Sequence, residues 1–230
     1  MKQPQLRILS LSLSLSMSLA LVTSGLLTAC GGGGDSAPIA AAPTATVSGV
    51  AATGAAIVAG QVTLNCLSGK TGIVTTGNDG SFIVNLTGVT LPCIGRVDYK
   101  DIVGAAQKLQ TFISAAGTAN INPVTDLLVA SLTGGKAADA FDKFDPTKVK
   151  GYTPAQVKTA TDTVKTYLKN SLGVDTSNLP DDLVTTKLVA KAGLTDGDKV
   201  DKVLDDLKVK LTAAGIKLND AADRIVGLQR

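Results

Sequence analysis

Apolar residues repeat with two different periods along this chain, and the change near residue 120 limits the folds it can adopt. Between residues 47 and 119, short runs alternate apolar and polar side chains, as Phe82, Val84 and Leu86 do. Beyond residue 120, apolar residues recur every three or four positions, which is the spacing of amphipathic helices. We therefore predict an α+β fold, with an antiparallel β-sandwich over residues 47–119 and a mainly helical region over residues 120–230.

Turn residues divide the first region into short strands. The dipeptide Asp79-Gly80 separates two β-rich runs and predicts a hairpin, because glycine readily takes the positive φ that a tight turn needs. The predicted strands cover residues 47–51, 56–66, 73–76, 81–86, 94–99 and 108–115.

Capping residues mark the helices of the second region. Asn122-Pro123 and Thr153-Pro154 each combine an N-cap residue with a proline at the first helical position, and Gly173 is suited to end the second of these helices. Further helices are predicted over residues 137–144, 181–192, 198–207 and 219–228, with short strands at 209–211 and 215–218.

The N-terminal segment has the features of a secretion signal. Lys2 and Arg7 precede an apolar stretch from residue 8 to residue 27. The stretch ends in Leu27-Thr28-Ala29-Cys30, which resembles the lipobox of bacterial lipoproteins. The resemblance implies that residues 1–29 are a signal peptide, that Cys30 is acylated after cleavage, and that the acyl chains attach the protein to a membrane.

The residues after Cys30 fit this interpretation. Residues 30–46 consist almost entirely of Gly, Ala, Pro, Ser and Thr, a composition typical of a flexible tether. By the same resemblance, Gly31 in place of Asp favours the outer membrane, on either its periplasmic or its surface face. An uncleaved membrane anchor is the alternative, because about 20 apolar residues just span a bilayer.

Two cysteines remain once Cys30 is assigned to lipid. Cys66 shares its strand face with Val62 and Leu64, and Cys93 lies on the same face of its strand as Val97, so both sulfurs are expected to point inward. An even pair in an oxidising compartment favours a disulfide, which contributes about 3–4 kcal/mol in the chain-entropy model. A redox-active pair is the alternative, although such pairs usually have two residues between the cysteines.

The residue types that are missing exclude several chemistries. The chain has no His and no Trp, and all its acidic side chains are Asp. Triads that depend on histidine and zinc sites with imidazole ligands cannot be built, and we expect no metal site, no cofactor and no enzymatic activity. Removing the signal peptide takes away two of the 22 basic side chains and none of the 19 acidic ones, so the near-neutral mature chain offers no charge for nucleic acid.

The strand-rich region also resembles a known family. The run GAAIVAGQVTLNC, followed by GIVTTGNDGSFIVNL, is similar to the carboxypeptidase-regulatory-like domain, a prealbumin-type β-sandwich. Thr76, Asp79, Gly80 and Phe82 fit the hairpin pattern of that family. The segment GTANINPVTDLLVA is similar to bacterial lipoproteins that carry this sandwich ahead of helices. The resemblance implies a structural, adhesive or accessory module and supplies no catalytic residues.

Several polar groups have a functional interpretation and a structural one. Thr125 and Asp126 are candidates for binding or for satisfying the free N–H groups of a helix N-terminus. Asp196, Asp198 and Asp201 suggest a calcium loop or helix capping, and their spacing departs from the EF-hand pattern. Asp181-Asp182 suggests an acid–base pair or a helix start.

These observations predict a lipid-anchored cell-envelope protein that acts as a structural or protein-interaction module. A partner would dock at the exposed sheet edges and loops. Carbohydrate or small-ligand binding is a second possibility, against which the few aromatic residues count. Hydrolysis by a Ser-Lys dyad is a third, and Ser68 and Lys70 are its only candidates with close spacing at a turn.

Overall fold

A computed structural model describes residues 44–229, in which eight strands are followed by six helices. The chain is therefore an α+β protein. The predicted signal peptide 1–29, Cys30 and nearly all of the predicted tether lie outside the described residues. The strands are β1 (Thr46–Val50), β2 (Gln61–Cys66), β3 (Gly69–Lys70), β4 (Val74–Thr75), β5 (Ser81–Asn85), β6 (Cys93–Lys100), β7 (Ala106–Ile113) and β8 (Gly117–Thr118).

The strands form two sheets. A five-stranded antiparallel sheet has the order β3-β2-β6-β7, and β4 also pairs with β2. A three-stranded sheet has the order β5-β1-β8, in which β1 pairs antiparallel with β5 and parallel with β8. Gly49 of β1 allows the close approach of β8, because a Cβ atom there would lie 1.9 Å from the Ala119 carbonyl oxygen.

The five-stranded sheet is buried on both faces. Leu64, Cys66 and Val97 belong to one face and join an apolar cluster with Val47 and Val84 of the smaller sheet. Residues of the opposite parity, such as Ile94 and Phe112, belong to a second cluster formed mainly by the helices. A strand that is buried on both sides lacks a polar face, which explains the almost continuous burial from Cys93 to Gly95 in β6.

The disulfide joins the end of β2 to the start of β6. Cys66 of β2 and Cys93 of β6 are directly opposite each other in the antiparallel ladder, with their Cα atoms 4.1 Å apart and their sulfurs bonded. Both side chains are buried, as the alternation of apolar residues predicted. The predicted disulfide is confirmed.

The six described helices are α1 (Pro123–Thr133), α2 (Ala137–Asp142), α3 (Pro146–Gly151), α4 (Pro154–Leu172), α5 (Lys199–Ala213) and α6 (Leu218–Gly227). Four of them, α1, α3, α4 and α5, begin after a residue whose side chain caps the helix. Asn122 and Thr153 each form a capping box with the residue three positions later, and Gly173 ends α4 in the left-handed conformation, as predicted. Asp198 caps α5 by accepting hydrogen bonds from the N–H groups of Val200 and Asp201.

Helix α2 packs on the five-stranded sheet through one aromatic ring. Phe141 is buried, and the guanidinium of Arg96 from β6 lies 4.0 Å from the centre of its ring. Arg96 also forms ion pairs with Asp98 and with Asp142. The side-chain amide of Asn65 donates to the Phe141 carbonyl oxygen at 2.8 Å. One helix end is thus attached to two neighbouring strands by packing, charge and hydrogen bonding.

Several local predictions differ from the structure. Residues 181–192 were predicted as a helix but form turns and extended segments, because distant side chains supply their hydrogen bonds. Residues 209–211 belong to α5, residues 215–217 lie in its connection to α6 and Leu218 begins α6, so the two short strands predicted at 209–211 and 215–218 are absent from this part of the described chain. The Asp79-Gly80 turn is present, with φ of 77° at Gly80, but it joins β4 and β5, which belong to different sheets.

Candidate functional site

A pocket of about 390 Å³ opens between three segments that are far apart in sequence. The segments are the end of β7, the start of α4 and the turn over residues 181–185. The volume falls in the range of roughly 300–1,000 Å³ that is typical of small-molecule sites. Its apolar wall is formed by Phe112, Leu128, Tyr152, Val157, Leu183 and Val184.

The two rings of the pocket contact each other edge to face. The Phe112 and Tyr152 ring centroids are 5.8 Å apart and the ring planes are nearly perpendicular, at 87°. Tyr152 is placed by the short connection between α3 and the Thr153 cap of α4. Burial and the nearby Asp145 carboxylate raise the pKa of Tyr152, so its hydroxyl remains protonated at neutral pH.

The turn over residues 181–185 is fixed by hydrogen bonds. Asp182 accepts from the N–H groups of Val184 and Thr185 at 2.9 and 2.8 Å. The buried side chain of Asn120 donates to the carbonyl oxygens of Val184 and Thr186, and its own oxygen accepts from Val50 of β1. The pocket wall is therefore connected to the three-stranded sheet through Asn120.

The charged side chains at the pocket mouth form ion pairs or hydrogen bonds with neighbouring residues. Lys158 contacts both carboxylate oxygens of Asp162, at 2.9 and 3.2 Å, and this hydrogen bond raises the pKa of Lys158. Lys165 binds Asp181 at 3.0 Å and lowers the pKa of that carboxyl. Asp181 and Asp182 thus have separate structural partners, and no acid–base pair is formed between them in this part of the described chain.

Thr125 and Asp126 are buried, and their side chains hydrogen-bond to the backbone at the edge of strand β7. Asp126 accepts a 2.9 Å hydrogen bond from the Gln110 N–H, and Thr125 donates to the Gln110 carbonyl oxygen at 3.0 Å. Burial raises the pKa of Asp126 to about 7, while the hydrogen bond from Gln110 opposes this shift. The two side chains of α1 therefore substitute for a neighbouring strand beside β7, and the binding role considered for them stays untested.

The acidic residues before and within α5 have a similar structural role. Asp198 accepts from the Val189 N–H at 2.8 Å, and Asp201 accepts from the Lys191 N–H at 3.0 Å. Burial raises the pKa of Asp201. Within residues 44–229, neither these aspartates nor any other set of three acidic or cysteine side chains is arranged to hold a metal ion. Helix capping is the interpretation that the contacts support.

Ser68 and Lys70, the residues of the possible hydrolytic dyad, have different partners. The Ser68 oxygen accepts from the Thr90 N–H at 2.9 Å. The Lys70 ammonium lies 5.2 Å from the centre of the Phe141 ring. Among the described contacts, Ser68 and Lys70 are not joined by a hydrogen bond, so the geometry offers no activated nucleophile at this turn.

No family model, no curated protein and no solved structure matches this chain. Within the described residues, none of the helices is both long and apolar enough to cross a membrane. Sequence reasoning did not identify the pocket, because Phe112, Val157 and Leu183 are separated by tens of residues and each has the pattern of an ordinary core position.

Proposed function

We propose that this chain is a lipid-anchored cell-envelope protein that acts, without catalysis, as a structural or protein-interaction module. Cys30 would carry the acyl chains, residues 30–46 would form the tether, and a β-sandwich with packed helices would form the interacting body. The apolar cluster shared by the two sheets supports a sandwich. The observation that carries the interaction proposal lies at the turn between β6 and β7.

The turn between β6 and β7 presents two adjacent apolar side chains to solvent. Ile102 is fully exposed and Val103 is 82% exposed. Each side chain would contribute about 1.5–3 kcal/mol if a partner buried it completely. Together they form a small contiguous apolar surface that a partner could cover.

The turn is ordered by its first residue. Asp101 accepts hydrogen bonds from the N–H groups of Val103 and Ala105 and from the Gln107 side-chain amide. These bonds lower the pKa of Asp101, with the Gln107 amide as the largest cause. A turn already held in one conformation loses little entropy on binding, so Asp101 favours docking through this turn.

Site-specific photo-crosslinking in the native host tests this role. A photoreactive phenylalanine analogue at position 102 is expected to give one discrete adduct with an envelope protein or polymer. The same analogue at Lys150, an exposed residue of α3, is the control and should give none. Replacing Asp101 with alanine should weaken the adduct at position 102 without changing the fold. Equal labelling at positions 102 and 150 would contradict the proposal.

A further inference from the structure

The pocket described above has a chemistry that defines a class of ligand. Its wall combines the rings of Phe112 and Tyr152 with the aliphatic side chains of Leu128, Val157 and Leu183. A ligand that covers this wall gains roughly 25 cal/mol for each Å² of apolar surface removed from water. The wall therefore favours a mainly apolar molecule.

The charged groups of the pocket argue against a charged ligand. Its described lining contains three charged side chains, Lys158, Asp181 and Asp182. Lys158 is paired with Asp162 and Asp181 with Lys165, while Asp182 accepts hydrogen bonds from its own turn. These exposed pairs are individually weak, but a charged ligand that covers the apolar wall would lose its hydration without gaining a counterion from that wall, and burying an unpaired charge is costly.

Polar groups suited to a neutral molecule are present beside the apolar wall. Ser114, Thr118 and Thr185, which carry hydroxyl groups, are among the lining residues, and the Thr185 hydroxyl donates to Asp182. A hydroxyl can donate or accept a hydrogen bond and carries no charge, so it can orient a carbonyl, amine or hydroxyl of a ligand. Hydrogen bonds from Asn120 and to Asp182 fix the backbone of the turn that carries Thr185.

We propose that this pocket binds a neutral, mainly apolar small molecule with few polar atoms. The site is independent of the turn at Ile102, since the pocket is built from the opposite end of β7. The proposal excludes anionic amphiphiles as preferred ligands, and this makes it testable with two dyes that differ by one charged group. N-phenyl-1-naphthylamine is neutral, and 8-anilinonaphthalene-1-sulfonate has the same ring system with an added sulfonate.

The absence of tryptophan from the chain allows a specific optical reporter. Ala116 is exposed and adjacent to the pocket but does not line it, so Ala116→Trp places a single energy-transfer donor there. The mature, acylated protein carrying this reporter is placed in lipid nanodiscs and titrated with each dye. Quenching of the tryptophan should saturate at one N-phenyl-1-naphthylamine per protein. The sulfonated dye should bind at least tenfold more weakly.

Two further variants locate the binding. Ala115 lines the pocket and is exposed, so Ala115→Phe in the reporter background should fill the opening without disturbing the core and weaken the neutral dye at least tenfold. Ala214→Phe makes the same replacement at an exposed position outside the pocket and should leave the affinity unchanged. Circular dichroism checks that both variants are folded, and Ser114→Phe replaces Ala115→Phe if the latter is not.

Each contrary result overturns a different part of the proposal. Equal affinity for the two dyes overturns the preference for a neutral ligand. Saturable binding that survives Ala115→Phe and Ser114→Phe overturns the assignment to this pocket, and quenching that does not saturate overturns the existence of a site. None of these results depends on crosslinking at position 102, so failure here is distinguishable from failure of the interaction role.

Discussion

Asp126 in α1 and Gln110 in β7 are joined by a 2.9 Å hydrogen bond between a buried carboxylate and a backbone N–H. Thr125 completes the contact by donating to the Gln110 carbonyl oxygen. The free edge of a sheet usually needs another strand, a charge or a covering element to prevent unwanted pairing. Here the first turn of a helix covers the edge, and a carboxyl group is buried as a consequence.

Burial of Asp126 predicts a stability that falls as the pH rises. The folded-state pKa of about 7 lies above the model value of 3.8, so the folded protein retains a proton that the unfolded chain loses. The resulting stability is fully present below about pH 4 and is lost as the pH rises through about 7. Asp126→Asn keeps an acceptor for Gln110 and should raise the free energy of unfolding at pH 8 by about 2–4 kcal/mol.

Urea unfolding at pH 4 and pH 8 measures the effect of Asp126→Asn. The replacement should have little effect at pH 4, where the native carboxyl is already protonated. Asp162→Asn, the same replacement at an exposed carboxylate on α4, is the control for the change of residue type. An equal change at both pH values would contradict the raised pKa of the folded-state carboxyl.

The cross-strand disulfide predicts a loss of stability on reduction. Replacing both Cys66 and Cys93 with alanine should lower the free energy of unfolding by about 2–4 kcal/mol, because the unfolded chain gains conformational freedom. Denaturant titrations with and without dithiothreitol provide the measurement. Reductant should bring the native protein close to the double variant and should leave the double variant itself unchanged. A double variant as stable as the oxidised protein would refute the structural role.

The Arg96–Phe141 contact predicts a measurable coupling between a strand and a helix. Phe141→Leu removes the ring while keeping an apolar side chain, and Arg96→Ala removes the cation 4.0 Å from its centre. A double-mutant cycle should give a coupling free energy of about 1 kcal/mol. Lys70 lies farther from the same ring, at 5.2 Å, and is exposed, so the matched Lys70→Ala cycle should give a smaller value. A coupling free energy that is larger for Lys70 and Phe141 than for Arg96 and Phe141 would contradict this prediction.

The lipobox resemblance predicts two distinct effects on membrane location. Cys30→Ala should abolish lipidation, so that mass spectrometry of membrane fractions no longer finds protein with a diacylglyceryl group on the cysteine sulfur. Gly31→Asp should retain acylation and move the protein from the outer to the inner membrane fraction. Acylation that persists in Cys30→Ala would remove the basis for the anchor.

Local sequence signals accounted for the ends of most helices. Asn122, Thr153 and Asp198 satisfy backbone groups within three residues of themselves, so their role can be predicted without knowledge of the fold. The inward direction of Cys66 and Cys93 followed from alternation along single strands in the same way. Helix capping and strand alternation involve only residues that are close in sequence.

Long-range partners explain what the sequence did not predict. The apolar residues Leu183, Leu188 and Val189 suggested a helix, yet Asn120 and Asp198 bind the backbone around them and hold it in turns and extended segments. The Asp79-Gly80 turn is local, but the choice of β1 and β2 as strand partners is made by packing across two sheets. The candidate pocket depends on the same kind of assembly, which a residue pattern does not reveal.

The position of β1 has a mechanical consequence. Thr46 begins the central strand of the three-stranded sheet and follows directly on the segment expected to reach the membrane. Ladder hydrogen bonds lie roughly across the strands, so tension entering along β1 would load the bonds to β5 and β8 together in shear. Strand β1 would then separate only when several of these hydrogen bonds break together. Such resistance to tension would favour attachment of the protein through its N-terminal end.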